Sequence, residues 1–260
     1  MSTAPQQPES PAWTDRDLSA NPHENADKAT RVQQMFSAIA PSYDLNNRVH
    51  SMWRDQAWRK AAVKMAGLKP GEDVVDVACG TGDLAMAFYA QANRLGGEGA
   101  VTGIDFTHEM LAIAEQKTTR EQAIAWLQGD AMNLPLPDAC CDVVSIAFGI
   151  RNVAEPAKAM AEFYRVLRPG GRLIVLEFSL PKNQLLLAGY NFYFKHIMPR
   201  TATLIAGDKS GAYKYLPKSV NTFIDREGMT TIMREAGLTD ITLKPMTFGI
   251  AVCYRGVKSA

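Results

Sequence analysis

Cysteine, charge of one sign, long apolar runs and repeated sequence are all scarce in this chain. The four cysteines, Cys79, Cys140, Cys141 and Cys253, form no C-x-x-C pair and no Cys/His group with zinc spacing. They read as reduced, mostly buried thiols of a cytoplasmic protein, and no metal site is expected. Lys and Arg number 28 against 27 Asp and Glu, a formal net charge of +1. That balance gives no broad basic surface and argues against nucleic acid as a partner. No run of roughly 18 or more apolar residues is present to span a bilayer. No basic segment leads into an apolar one at the N-terminus, so no secretory signal is expected. The expectation is a soluble chain that touches at most the inner face of a membrane. Its 260 residues, 47% of them hydrophobic, suit one α/β domain with appendages.

Residues 1–27 are rich in Pro, Gln, Ser, Asn and acids and carry few large apolar side chains, which predicts a disordered tail. Residues 28–260 read as a single domain, with a helical cap over 28–67 and an α/β core over 68–260. In the cap, Val32, Met35, Phe36 and Ile39 recur at helical spacing up to Pro41, and a second helix is predicted from Trp53 to Ala66, before Gly67. The period then changes. Short β-branched runs at 73–78, 100–106, 124–128, 142–148 and 172–178 alternate with amphipathic segments at 84–95, 108–119 and 156–167. Such alternation predicts a parallel sheet covered on both faces, the doubly wound arrangement. A late helix is predicted over 219–236. The last two strands, 241–246 and 249–257, have only Thr247-Phe248 between them, which permits an antiparallel hairpin and excludes a parallel crossover.

Gly80-Thr81-Gly82 follows the first strand and opens a helix, where backbone approaches a ligand without Cβ obstruction. With Ala85 it satisfies G-x-G-x-x-G/A, so a nicotinamide cofactor has to be weighed. Asp76, inside the strand, tips the balance: a carboxylate there suits the ammonium of S-adenosylmethionine and repels a pyrophosphate. Asp105, ending the next strand, is placed to accept ribose hydroxyls, and Asp130, after the third, to accept from the adenine amine. The plainer alternative is three acids that cap helices or turns.

Asp76-Val77-Ala78-Cys79-Gly80-Thr81-Gly82-Asp83 resembles the class I methyltransferase motif, with the Ala typical of the ubiquinone/menaquinone biosynthesis C-methyltransferases (UbiE/MenG type). Tyr43-Asp44-Leu45-Asn46-Asn47 with His50-Ser51 and Trp53 is similar to that family's first signature, its usual order disturbed around Arg48-Val49-His50. Phe148-Gly149-Ile150-Arg151-Asn152-Val153 is similar to the second, and Leu176-Glu177-Phe178-Ser179 and Tyr213-Lys214-Tyr215-Leu216-Pro217-Lys218-Ser219 add specificity. The resemblance covers residues 30 to 258. It implies a seven-stranded Rossmann-like sheet with the antiparallel hairpin and an N-terminal helical lid. It also implies S-adenosylmethionine-dependent C-methylation of a polyprenylated quinol of the menaquinone or ubiquinone series. By that analogy Thr81, Asp105, Asp130 and Ala131 line the cofactor site with Asp76, Gly80 and Gly82. Ala147 stands where relatives often place a serine contact. Self-association or contact with other quinone-biosynthesis proteins is left open.

Methylating a ring carbon needs a neighbouring hydroxyl to lose its proton, and a cation nearby favours that. Arg151, just after the fourth strand, is the candidate, with Asn152 to fix a water or a quinol oxygen and His50 as a candidate general base. The competing reading pairs Arg151 with a nearby acid, makes Asn152 a helix cap and His50 structural. Phe36, Tyr43, Trp53, Tyr190, Phe192, Tyr193 and Phe194 form either a lid and greasy passage or plain core. Lys182, Lys195 and Arg200 suit a transient membrane-surface contact. A different phenolic or lipid acceptor, and a non-catalytic quinone-binding scaffold, are the rival functions.

Overall fold

The computed structural model describes residues 11–119, 122–206 and 210–260. Helix α1 (Lys28–Ile39) leads through a short 3-10 turn into α2 (Tyr43–His50), and α3 (Arg54–Ala66) completes the cap. The α/β core then runs β1 (Val74–Val77), α4 (Asp83–Leu95), β2 (Val101–Asp105), α5 (His108–Lys117), β3 (Ile124–Gln128), β4 (Cys141–Ala147), α6 (Pro156–Val166) and β5 (Leu167–Phe178). Helices α7 (Gln184–Phe192), α8 (Met198–Ala206) and α9 (Ala212–Thr222) follow as an insertion. Then come α10 (Arg226–Glu235), β6 (Leu238–Met246) and β7 (Ala251–Lys258).

The seven strands lie in the order β3-β2-β1-β4-β5-β7-β6. All pairs from β3 to β5 are parallel; β7 runs antiparallel to β6, as the short link between them predicts, and also to β5. The order reverses between β1 and β4, and ligands of such sheets bind at the strand ends beside that point. The residues there are those that the glycine loop and the Phe148–Asn152 turn contribute.

Side-chain alternation explains why both faces are covered. Val74, Val101, Val143 and Ile174 point to a layer formed by Trp58, Ala62 and Val63 of α3 and by Leu84 and Phe88 of α4. Val75, Val77, Val144 and Ile146 point the other way, to Met160 and Phe163 of α6 and Met229 and Met233 of α10. In α6 the buried residues Ala159, Met160, Phe163 and Val166 make the single stripe expected of a helix lying on a sheet.

Three expectations are corrected. Residues 11–27 are not a disordered tail. They form two 3-10 turns, and Trp13, 1% exposed, stacks on Tyr215 with ring centroids 4.6 Å apart. Residues 1–10 of that segment lie outside the described residues. The late helix is two: Asp225 accepts from Gly228 N–H as the N-cap of α10, which breaks the chain after Thr222. Trp53 lies outside its predicted helix, in the left-handed region at φ 59°.

Candidate active site

The cofactor side is built on the carboxyl ends of β1, β2 and β4. Gly80, φ +55°, leaves the strand and opens the loop, and a Cβ there would meet nothing nearer than the Tyr43 ring at 3.9 Å. Its N–H donates to Asp105 Oδ2 at 2.7 Å, and Thr107 N–H donates to Asp105 Oδ1 at 2.8 Å. Those two bonds fix the carboxylate while burial raises its pKa. Asp130 is held in the same way, with Oδ1 accepting from Met132 N–H at 2.9 Å. Gly80, Asp105, Asp130, Ala131 and Ala147 line one cavity, together with Phe106, Met132, Phe148 and, from the cap, Ala29, Val32, Phe36 and Tyr43. No lysine, arginine or histidine is among its lining residues. Two fixed carboxylates, apolar walls and no cation suit an adenosyl sulfonium and would leave a pyrophosphate uncompensated. S-adenosylmethionine therefore fits the residues of this cavity.

Three of the residues assigned to the cofactor from the sequence do not line that cavity. Asp76 is buried within the sheet, where Ser145 Oγ donates to its Oδ1 at 2.7 Å and its Oδ2 has no partner; burial pushes its pKa up to about 7. Thr81 donates to Asp44 at 2.6 Å and receives Lys117 at 3.3 Å. Gly82, φ +83°, is glycine for a packing reason, since a Cβ would come within 2.5 Å of the Trp126 ring.

Thr81 belongs to a polar latch that ties the cap to the core. Arg48 of α2 bonds Asp55 of α3 and, at 2.5 Å, Asp83 at the start of α4. Lys117, ending α5, reaches Asp44 and Asp83, each at 2.7 Å. Burial opposes ionisation of Asp83, yet Arg59, Lys117 and Arg48 hold its pKa down at about 2. These partly buried pairs close the cap over the glycine loop.

A second cavity, ≈ 460 Å³, opens on the other side of Phe36, Tyr43 and Phe148, which line both. Its walls are largely aromatic and aliphatic: Met35, Ile39, Trp58, Phe178, Tyr190, Tyr193, Phe194 and Leu216. The aromatic stripe of residues 190–194 thus lines a passage, with the exception of Phe192, which is 60% exposed on the outside.

Arg151 and His50 both face this second cavity, and Asn152 faces the first. Arg151 is 6% exposed and ion-paired with Glu177 at 2.7 Å; it also donates to Phe148 O and stacks over the Phe178 ring at 5.3 Å. The competing reading of a paired arginine therefore holds, yet Nε remains buried without a partner. Asn152 caps no helix. Its amide donates to Phe148 O at 3.2 Å, and Tyr215 hydroxyl donates to its carbonyl at 3.0 Å. His50 meets Tyr193 hydroxyl through Nδ1 at 3.0 Å, burial lowers its pKa, and Nε2 is buried and unpartnered.

Two contributors escape sequence reasoning. Glu177 stands alone as an acid in the apolar run of β5, a signal that a buried cation needs it. Lys28, 2% exposed, donates to Val153 O at 2.6 Å; burial and the Arg151 charge lower its pKa to about 8. Nothing in the local pattern of α1 marks that lysine.

The sequence profile of the ubiE/COQ5 methyltransferase family matches residues 24–258. A Deinococcus radiodurans protein named demethylmenaquinone methyltransferase is 43% identical over 233 residues, 89% of this chain and 94% of that protein. The Bdellovibrio bacteriovorus ubiquinone/menaquinone biosynthesis C-methyltransferase UbiE is 44% identical, covering 86% and 94%. Among solved structures, a SAM-dependent methyltransferase from Thermotoga maritima superposes with a TM-score of 0.60 at 21% identity, over 88% of this chain and all of that one. A Haemonchus contortus phosphoethanolamine N-methyltransferase, solved with S-adenosyl-L-methionine, gives 0.58 at 17% identity, over 80% and 53%. These two distant matches share the fold.

Proposed function

Since this chain belongs to the ubiE/COQ5 methyltransferase family, we propose that it methylates a ring carbon of a polyprenylated quinol from the menaquinone or ubiquinone series. The single observation that carries the reading is the wall of Phe36, Tyr43 and Phe148 between an acid-lined cavity and an aromatic one with Arg151 at its edge. A planar ring on the aromatic side of that wall meets the donor on the other. The relatives' names, demethylmenaquinone methyltransferase and ubiquinone/menaquinone biosynthesis C-methyltransferase, support this acceptor class, and no observation favours a scaffold role.

S-adenosylmethionine, when bound, supplies a methyl group already activated on a sulfonium. The remaining tasks fall to the chain's own residues. Asp105 and Asp130 hold the adenosine end. Aromatic walls stack the acceptor ring and exclude water, so that electrostatic effects inside are strengthened. Arg151 favours loss of the proton from a ring hydroxyl, whose pKa is about 10 in an unperturbed phenol. That proton passes to water. The oxyanion pushes electron density to the adjacent carbon, which takes the methyl group as its bond to sulfur breaks. The carbon's own hydrogen then leaves to water as a proton and restores the ring. Lys28, held by Val153 O, lines neither cavity and acts only through its charge near Arg151. Glu177 fixes the Arg151 fork through Nη1 at the edge of the cavity. Asn152, held from both sides by Phe148 and Tyr215, stands on the donor side of the wall and serves as a positioning group there.

The test is turnover against pH with a short-tailed quinol kept reduced. Removing Arg151 alone strands the Glu177 charge, which costs stability, so the alanine substitution is paired with Glu177→Gln. Arg151→Ala/Glu177→Gln is expected to lower turnover by about 10²–10³ with cofactor affinity unchanged. Arg151→Lys recovers part of the loss, and raising the pH partly rescues the alanine variant because solvent then ionises the quinol. Wild-type turnover in the double variant would end the assignment.

A further inference from the structure

The mouth of the 460 Å³ cavity is built from backbone that is strained and from side chains that water should repel. Met52 and Phe248 line the cavity and are each 78% exposed; Trp53 beside Met52 is 63% exposed. All three sit at positive φ, 51°, 57° and 59° for Met52, Phe248 and Trp53, and Thr247 at 45° joins them. A large or β-branched side chain in that region pays a steric penalty, and such outliers persist where the surroundings or a function demand them. Here the strain points apolar groups outward, so packing within the chain does not offset it.

The mouth continues onto α7, where Leu185 is 82% exposed and Phe192 60%. Contacts hold these pieces together: Trp58 Nε1 donates to Thr247 Oγ1 at 2.8 Å, and His50 meets Tyr193 at 3.0 Å. The segments that carry these side chains also carry the exposed cations Arg54, Lys182, Arg200 and Lys244. The acid that lines the cavity, Asp55, is 3% exposed and ion-paired with Arg48 and Arg59. The side chain of Lys195 lies outside the described residues. A net charge near zero thus conceals exposed apolar side chains flanked by exposed cations. Protein partners offer mixed charge, whereas a bilayer surface bearing anionic lipid offers an apolar interior under a negative face.

We infer that this rim is a membrane-docking surface, in which Met52, Trp53, Phe248 and the outer face of α7 enter the headgroup layer of an anionic bilayer and set the cavity mouth against it. The inference rests on the polyprenylated-acceptor reading. A chain of many isoprene units cannot be held whole in ≈ 460 Å³, and its remainder can stay in lipid while the ring moves into the cavity. Tryptophan at the rim suits the interface, where an apolar body and an N–H are both satisfied.

The test uses the full chain with phosphatidylcholine vesicles, with and without a minority of phosphatidylglycerol. Trp53 is a built-in reporter, since Trp13 and Trp58 are 1% and 5% exposed and Trp126 is half-buried. The expected result is co-sedimentation with the anionic vesicles and a blue shift in emission that Trp53→Ser removes. The variant Trp53→Ser/Leu185→Ser/Phe192→Ser changes only exposed side chains outside the cavity lining. Its partitioning should fall by about 10²-fold, its turnover of a short-tailed soluble quinol should match wild type, and its turnover of a long-tailed quinol in vesicles should drop. Unchanged emission and sedimentation with anionic vesicles would overturn the proposal. So would a dimer in sedimentation equilibrium that the triple variant dissociates, because a second copy would then be the occupant. Vesicle binding decides the surface by itself. Absence of short-tailed turnover in wild type would instead count against the acceptor reading.

Discussion

Asp76 is held inside the sheet and does not line the cavity of Asp105 and Asp130. One carboxylate oxygen takes the Ser145 hydroxyl and the other has no partner inside the sheet, so burial raises the folded pKa to about 7. An unfolded aspartate titrates near 3.9. Between those values the folded state binds the extra proton, so unfolding free energy falls as pH rises through the window and levels off above it. Asp76→Asn keeps an acceptor for Ser145 and cannot ionise. Its thermal midpoint is expected to gain on wild type between about pH 5 and about pH 8. Midpoints that move in parallel would refute the account. Asp105, Asp130, Ala131, Gly80 and Ala147, grouped from the sequence, line one cavity because strand ends in a doubly wound sheet fall at one edge. Thr81 and Gly82 do not line that cavity, and their partners, Asp44 with Lys117 and the Trp126 ring, come from distant elements. Spacing within a loop carries no information about those.

At the scale of elements, periodicity located every strand and most core helices, since each presents a regular apolar stripe to one layer or two. It failed where an element is held by a few large contacts. Residues 11–27 look too polar to fold, yet Trp13 is enclosed by Ala12, Met35 and the Tyr213–Tyr215 turn, and Trp13 N–H donates to Ser210 O at 3.1 Å. A single tryptophan thereby straps the segment across α9. The same Tyr215 that Trp13 stacks on holds Asn152. Trp13→Ala should cost about 3–5 kcal/mol, as aromatic deletions from a core do. That corresponds to a fall of at least about 6 °C in thermal midpoint for a chain of this size. Calorimetry checks the stability, and a concurrent loss of turnover would trace the strap to Asn152. A midpoint unchanged by the substitution would return residues 11–27 to the status of a tail.

For the whole molecule, the polar latch and the shared aromatic wall make the cap common property of two sites. Phe36 and Tyr43 descend from α1 and its following turn into α2, and each touches both cavities. Whatever holds those rings still on one side removes part of the ordering cost on the other. Such an arrangement obeys reciprocity: the factor by which a spent cofactor tightens quinol binding must equal the factor by which quinol tightens the spent cofactor. Couplings of this kind commonly amount to roughly 5–150-fold. Calorimetric titration of each ligand with and without the other should return one positive coupling free energy from both directions. Lys117→Met, which cuts the latch without lining either cavity, should shrink it. Independent binding in wild type would show the wall to be rigid. If the coupling is present, the enzyme has a built-in economy of traffic: each ligand waits better for the other than either does alone.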